Sequence, residues 1–378
     1  MNSASLVYLC NKMGSVFESQ VLELLQEIRK QNIFNRVILL LGTSDPGQLD
    51  TTYIRTHAKI EVVHFKSFPN FPLFNSFNRI NLQRAVVKAN LDLDKTIFHV
   101  RGELWAWHLS DIVDKKFHHN ILPDIRGVSI EEIAEFSYFN QIVKYLKIKN
   151  YKKAISNLRS YSRITCVSNS CKEFLSSKYH ILKDSISITP CLASKKFVYN
   201  QPGSLAIRKK LKIKDTDILV VFSNGGNANW QKNEIIINFA EIGLKCLNLS
   251  KVKINHKNIF NECVRYRDMP QYLNAADIAV IWRDMSIVNQ VASPVKFSEY
   301  VCCGLPVIAN QAVDMIVEYI SSNACGLILK EVSDIKMNNI LPLMMKDRYS
   351  ISKQGISRFG MDAIIDSYLD IYSRILPL

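Results

Sequence analysis

The segment SPVKFSEYVCCGLPVIAN, Ser293 to Asn310, is the part of this chain from which the fold can be read. Ser293 suits a helix N-cap and Pro294 the first helical position. Phe297, Tyr300 and Val301 give a short helix an apolar face, and Gly304 falls where a left-handed C-terminal cap is wanted. Leu305 to Ala309 then reads as a strand buried on both faces, as in parallel sheets. One charge is surplus to that fold. Lys296 lies in the first helical turn, where the macrodipole disfavours a cation by about 0.3–1 kcal/mol. An anion docked at the helix start would offset that cost. Glu299, one turn further on, can accept hydrogen bonds from a polyol.

Outward from this segment, apolar runs alternate with helical patterns. On the N-terminal side the expected strands are Leu6–Cys10, Val37–Leu41, Ile60–Phe65, Thr96–Val100, Ile121–Asp124, Arg163–Val167 and Ser185–Thr189. Helices are expected over Phe17–Arg29 and Ile130–Tyr151. Pro190, Pro202 and Gly203 interrupt the pattern, so 191–204 reads as a linker. The alternation restarts with a strand at Ile218–Phe222, a helix at Asn233–Leu247 and a strand at Ile278–Trp282. Beyond the opening segment come a helix near Asp314–Ser321 and a strand at Leu327–Leu329. Strands separated by helices imply α/β architecture with doubly wound parallel sheets. The expected organisation is an N-terminal Rossmann-like domain over 1–190 and a second one over 205–355. An amphipathic terminal helix within 356–378 would cross back to the first domain.

Composition agrees with two domains, because 378 residues exceed what one hydrophobic core serves. No apolar run approaches the roughly 20 residues of a membrane span, and the N-terminus lacks the order of a signal peptide. Nine cysteines without zinc spacing read as free thiols of a cytoplasmic protein. The formal net charge of +14 is shared by both halves, with 25 basic against 17 acidic residues up to Pro190 and 23 against 17 after it. The excess is sharpest from Lys144 to Arg163, which holds seven basic residues and no acid. With Tyr and Ile interleaved, that stretch suits the surface of an anionic membrane, to which the protein would be peripheral.

The pattern SPxKxxEYxxxGxPVIA resembles the donor-site signature of the retaining glycosyltransferases of family four, which have the GT-B fold of two Rossmann-like domains. The resemblance implies a nucleotide-diphosphate sugar held by the C-terminal half through Ser293, Pro294, Lys296 and Glu299. The family's phosphate loop corresponds to Ser223–Lys232. There Lys232 falls on the family's lysine, while Gly226, after Gly225, stands where an arginine is usual; Arg283 is the expected substitute. Glu299 matches the second glutamate of an E-x7-E pair, the ribose ligand. Val291 occupies the first position, which leaves Asn289, Gln290 or backbone amides to compensate. Gly14, after the first strand, would approach the donor phosphates.

On the acceptor side, His99 at the end of a strand resembles the family's cleft histidine, and Arg101 is an alternative anchor for an acceptor phosphate. Together with Lys232 these are the expected catalytic residues. Asp124 or Glu132 would orient a hydroxyl in the loop that also holds Arg126. Either carboxylate could equally cap the next helix.

The implied activity is transfer of a sugar, with retention, to a glycan or lipid-linked acceptor in surface polysaccharide synthesis. No cofactor, metal or nucleic acid is expected. Fixed cations and helix N-termini would stabilise the departing diphosphate. Two other readings predict different things: a nucleotide-sugar 2-epimerase on the same fold would need no acceptor, and a non-enzymatic basic protein would bind membrane or nucleic acid without nucleotide specificity.

Overall fold

A computed structural model describes residues 4–11, 14–46, 54, 59–224 and 232–376. The chain divides into two compact units, Met1–Pro190 with Ile365–Leu378, and Cys191–Ile364. No helix among the described residues is long and apolar enough to cross a membrane.

The first unit is built on seven parallel strands: β1 Ser5–Asn11, β2 Arg36–Thr43, β3 Glu61–Lys66, β4 Thr96–Arg101, β5 Ile121–Ile125, β6 Ile164–Cys166 and β7 Ile186–Ile188. Their order is β3-β2-β1-β4-β5-β6-β7. Leu6, Val7, Leu9, Ile38, Leu39 and Leu40 are fully buried, because helices cover both faces of the sheet.

The second unit repeats the scheme with β8 Leu219–Ser223, β9 Lys245–Leu249, β10 Ile259–Asn261, β11 Ile278–Ile281, β12 Val307–Asn310 and β13 Gly326–Leu329, ordered β10-β9-β8-β11-β12-β13. The two-residue repeat of a strand sorts its side chains into two cores. Leu219, Val221, Ala279, Ile281 and Val307 pack on one face with Phe297, Tyr300 and Val301. Val220, Phe222, Val280 and Ile308 pack on the other with Ile236 and Phe239. In each sheet the winding reverses between the first strand and the fourth, and ligands of such sheets bind beyond the strand C-termini at that switch.

Several elements differ from the sequence expectation. The helix expected over Asn233–Leu247 is only Ile235–Glu241, since Gly243 takes φ +92° and the chain continues as β9. The periodicity of the helix had hidden a strand that is buried on both faces. Ile130–Tyr151 is two helices, Ser129–Phe136 and Gln141–Asn157, and the Asn140 side chain caps the second by accepting from Val143 N–H at 2.9 Å.

The 191–204 stretch is not a loose linker: Ala193 and Phe197 are buried in the second unit's core, and Gln201 opens a helix that runs to Lys210. The terminal helix is Met361–Ser373, so residues 356–359 close the preceding helix, Arg348–Phe359. From Ile365 onward the terminal helix belongs to the first unit.

Candidate functional site

In the second unit the site is built on the opening segment. Its helix spans Val295–Cys302, with Pro294 at the N-cap. Ser293 is therefore not the cap. Its Oγ accepts from Cys191 N–H at 2.9 Å, and Ser298 Oγ donates to Cys191 O at 2.7 Å, so the two serines staple the entry of the unit to this helix.

The helix C-terminus is fixed from outside. Gly304 has φ +71°, and a Cβ there would meet Arg348 O at 2.3 Å. The Arg348 guanidinium donates to Gly304 O at 3.2 Å and to Cys303 O at 3.2 Å, a cation on the negative end of the dipole. Gly355 lets the helix Arg348–Phe359 come close, because a Cβ there would sit 2.7 Å from Val301 C.

At the other end of the helix, Lys296 Nζ meets Glu299 Oε2 at 2.7 Å. Glu299 is only 1% exposed. The structure thus makes the i,i+3 pair that the sequence allows, but on a buried carboxylate rather than on a surface one. Val291, the position without the first glutamate, is packed in the interior.

Arg283 follows β11 and is positioned twice. Its backbone is bracketed by the Asn310 amide, which accepts from Arg283 N–H at 3.3 Å and donates to Arg283 O at 2.7 Å. Its Nη1 donates to Asn289 Oδ1 at 3.1 Å, and Asn289 in turn donates to Asp284 O at 2.9 Å. Burial lowers its pKa to about 10, so it stays cationic at neutral pH. Arg283 and Lys296 line one small cleft of about 20 Å³ with Phe222, Ser223 and Trp282. The Tyr300 hydroxyl, buried in the same helix, accepts from Ser223 N–H at 2.8 Å and fixes the end of β8.

Lys232 sits beside this group, its backbone N–H reaching Trp282 O at 3.4 Å and its amine 3.0 Å from Asp284 Oδ1. Gly225 and Gly226 lie outside the described residues. The sequence offers Asn289 only as a replacement for the missing glutamate and gives Asn310 no role. Their amides hold Arg283, a tertiary function that no local spacing announces.

In the first unit, His99, Asp124 and Arg126 are brought together and enclosed. His99 and Asp124 are both fully buried, with His99 Nε2 3.4 Å from Asp124 Oδ2. His99 Nδ1 lies 2.5 Å from the Tyr372 hydroxyl, and its ring packs on Tyr8 and Tyr368 at centroid distances of 4.4 and 4.8 Å. Thr165 Oγ1 donates to Asp124 Oδ1 at 3.0 Å. Arg126 Nη1 reaches Asp124 Oδ1 at 3.4 Å, Thr189 O at 3.1 Å and the Tyr368 hydroxyl at 3.4 Å.

Burial lowers the His99 pKa and holds the ring neutral, against the pull of Asp124. For Asp124, burial acts upward but is outweighed by Arg126 and His99, which hold the carboxyl well below its usual range. A side chain so enclosed is a poor substrate contact. Through the Tyr368 and Tyr372 hydroxyls, Arg126 and His99 seat the terminal helix.

Arg101 ends β4 one strand away. Glu132 is exposed on the helix Ser129–Phe136, while its neighbour Glu131 is buried and takes Lys178 and the Tyr179 hydroxyl, each at 2.8 Å. Gly14 opens the helical turn after β1.

A larger pocket of about 290 Å³, lined by Tyr199, Arg208, Asp277, Lys346 and Arg348, lies at the opposite ends of β11 and β12. Its arginines are committed to structure. Arg208 donates to Ala275 O, Lys214 O and Asp217 O at 2.7–3.0 Å, and Arg348 spans four carbonyls, Ala276 O at 2.8 Å among them. Two Asp-x-Asp spacings, at Asp92–Asp94 and Asp215–Asp217, likewise fall just before the starts of β4 and β8, away from the strand ends that bear the candidate residues. Among the described residues no group of three or more His, Cys, Asp or Glu could hold a metal.

No protein-family model matches this chain, and no curated protein matches it. Solved structures do. A glycosyltransferase from Rickettsia africae superposes with a TM-score of 0.72 at 15% identity, over all of both chains. HepE from Anabaena, in complex with UDP, gives 0.70 at 13% identity over 98% of this chain and all of that one. WaaG, a glycosyltransferase of lipopolysaccharide biosynthesis, gives 0.70 at 11% identity over 99% of this chain and all of that one. The chain has the GT-B fold, with two Rossmann-like units. At these identities the likeness establishes the fold, and the activity rests on the site.

Proposed function

We propose that this protein is a retaining glycosyltransferase that takes a sugar from a nucleotide-diphosphate donor and delivers it to a glycan or lipid-linked acceptor in surface polysaccharide synthesis. The observation that carries this reading is the cluster in the second unit. Arg283 and Lys296 line one cleft beyond β8 and β11, at the switch point of the sheet, with the buried Glu299 carboxylate paired to Lys296. Fixed cations at this point suit a diphosphate, and the carboxylate suits ribose hydroxyls. Bond cleavage builds charge on the departing diphosphate, and preorganised cations stabilise it without a metal ion. Lys232, at the margin of the cleft, is the third cation.

HepE was solved with UDP, so uridine nucleotides head the list of donors to try. Retention follows the family resemblance, with the acceptor attacking the face that the leaving group vacates.

The acceptor side of the reading includes an anionic membrane. On the helix Gln141–Asn157 the lysines Lys149, Lys152 and Lys153 are exposed, as are Ile142 and Tyr145. The neighbouring Tyr138 is 90% exposed. A basic surface with bare aromatic and aliphatic side chains suits lipid headgroups.

A thermal-shift screen of nucleotide diphosphates and their sugars tests the donor site, because a bound ligand stabilises by mass action. The expected result is stabilisation by one nucleotide class. NMR of the product anomer then reads the stereochemistry, and unchanged turnover in EDTA is expected for the metal-free mechanism. No nucleotide response would sink the reading, and inversion would remove the enzyme from the class.

A further inference from the structure

Arg101 is 8% exposed, yet the fold gives it almost nothing to hold. Among the described residues its hydrogen bonding is one long contact, from Nη1 to the Tyr8 hydroxyl at 3.5 Å, and its Nε has no partner. A guanidinium carries five N–H donors. Arg208 and Arg348 show what a structural role looks like, since each spends most of its donors on carbonyls.

Burial acts to lower the Arg101 pKa, but Tyr8 and Asp124 outweigh it and the group stays cationic. The carboxylate nearby is Asp124, and it already serves Arg126 and Thr165. Burial keeps His99 neutral. The Glu103 carboxyl is hydrogen-bonded to Ser129 and lies near Glu131 and Glu132 of the next helix. Two guanidinium groups thus share one carboxylate, and the Arg101 Nε–H stays buried without a partner, which is costly unless a ligand supplies one. Its place in the fold is where a ligand is expected, at the C-terminal end of β4 beside β1, the switch point of the first sheet. Gly102, at φ +89°, turns the backbone away immediately after it.

We infer that Arg101 holds an anionic group, a phosphate or a carboxylate, of a substrate at the switch point of the first sheet. This rests on the glycosyl-transfer reading for the word substrate, but the anion site stands on its own geometry.

The test is titration of the full chain with inorganic phosphate at constant ionic strength, by calorimetry and thermal melting. It compares the parent protein with Arg101→Met, Arg101→Lys and, as a control in the other unit, Lys296→Ala. Expected is phosphate affinity weakened about tenfold or more in Arg101→Met, as for loss of charge-assisted hydrogen bonds. The loss should be partial in Arg101→Lys, and Lys296→Ala should keep an Arg101-dependent phase. In phosphate-free buffer the melting point of Arg101→Met reports separately on any structural role of the side chain. A lower melting point with a superimposable phosphate titration would mark a structural arginine and overturn the inference. So would a response that depends on Lys296 alone.

If Arg101→Met does not fold, the Arg101→Lys titration decides, weaker binding supporting the site and equal binding overturning it. Nucleotide-diphosphate binding, measured in parallel, reports on the donor reading separately.

Discussion

The Lys296 amine lies 2.7 Å from the Glu299 carboxylate, and the carboxylate, not the lysine, is the buried partner. Because Lys296 is the more exposed of the two, it can turn toward an incoming diphosphate and release a carboxylate oxygen to hydroxyls. Lys296→Ala and Glu299→Ala are each expected to weaken nucleotide-diphosphate binding by about tenfold. Lys296→Ala also strips a charge partner from a buried carboxylate and should cost about 1–3 kcal/mol of stability. Calorimetry and melting on the two variants separate these effects, and unchanged nucleotide affinity in both would refute the site.

Lys232 and Arg283 should respond differently to truncation. Lys232 pairs with Asp284 at the surface, a contact worth about 0.2–1 kcal/mol. Lys232→Ala should therefore leave the melting point nearly unchanged while lowering turnover of the donor about tenfold or more. Arg283→Ala removes the partner of the buried Asn289 and should lower both. A fully active Lys232→Ala enzyme would take this lysine out of the mechanism.

The pH dependence of folding should run toward instability in acid. His99 is neutral in the fold because burial lowers its pKa, whereas the unfolded chain takes up a proton as pH falls through about 6.5. Stability is then full above that value and lost below it. Asp124, with its pKa lowered by Arg126 and His99 despite burial, adds a second loss below the ordinary carboxylate range, about 3.9. Urea melts at stepped pH should show the decline beginning near 6.5 in the parent and a flatter profile down to about pH 5 in His99→Gln. An identical profile in the variant would mean that His99 does not carry this dependence.

Membrane attachment should be electrostatic first. Reversing the charge of Lys149, Lys152 and Lys153 together is expected to reduce sedimentation with anionic vesicles by an order of magnitude or more, at about 1 kcal/mol per charge. The fold should be unaffected, since all three side chains are exposed. Sedimentation equal to that of the parent protein would remove the membrane from the proposal.

What could be read in the sequence was whatever repeats along the chain. Apolar runs gave most strands of both sheets, and the opening segment gave a helix, its Gly304 cap and a buried strand. Strand β9 was missed because helical periodicity ran straight through Gly243. Side-chain partners were beyond reach wherever they come from distant segments.

His99 looked like a cleft residue because it ends a strand, yet Tyr372, from the far end of the chain, closes over it. Asn289 is legible only as a stand-in for the missing glutamate and Asn310 not at all, yet both set the place of Arg283. The sequence by itself determined the alternation that builds two Rossmann-like units and the signature at Lys296 and Glu299, because backbone periodicity and short-range spacing are local. Only the tertiary structure decided which charges are answered. Asp124 acquires His99 and Thr165, and His99 acquires Tyr372, while Arg101 is left with a tyrosine hydroxyl. Pairing depends on which strand ends meet, and the chain does not carry that in any one stretch.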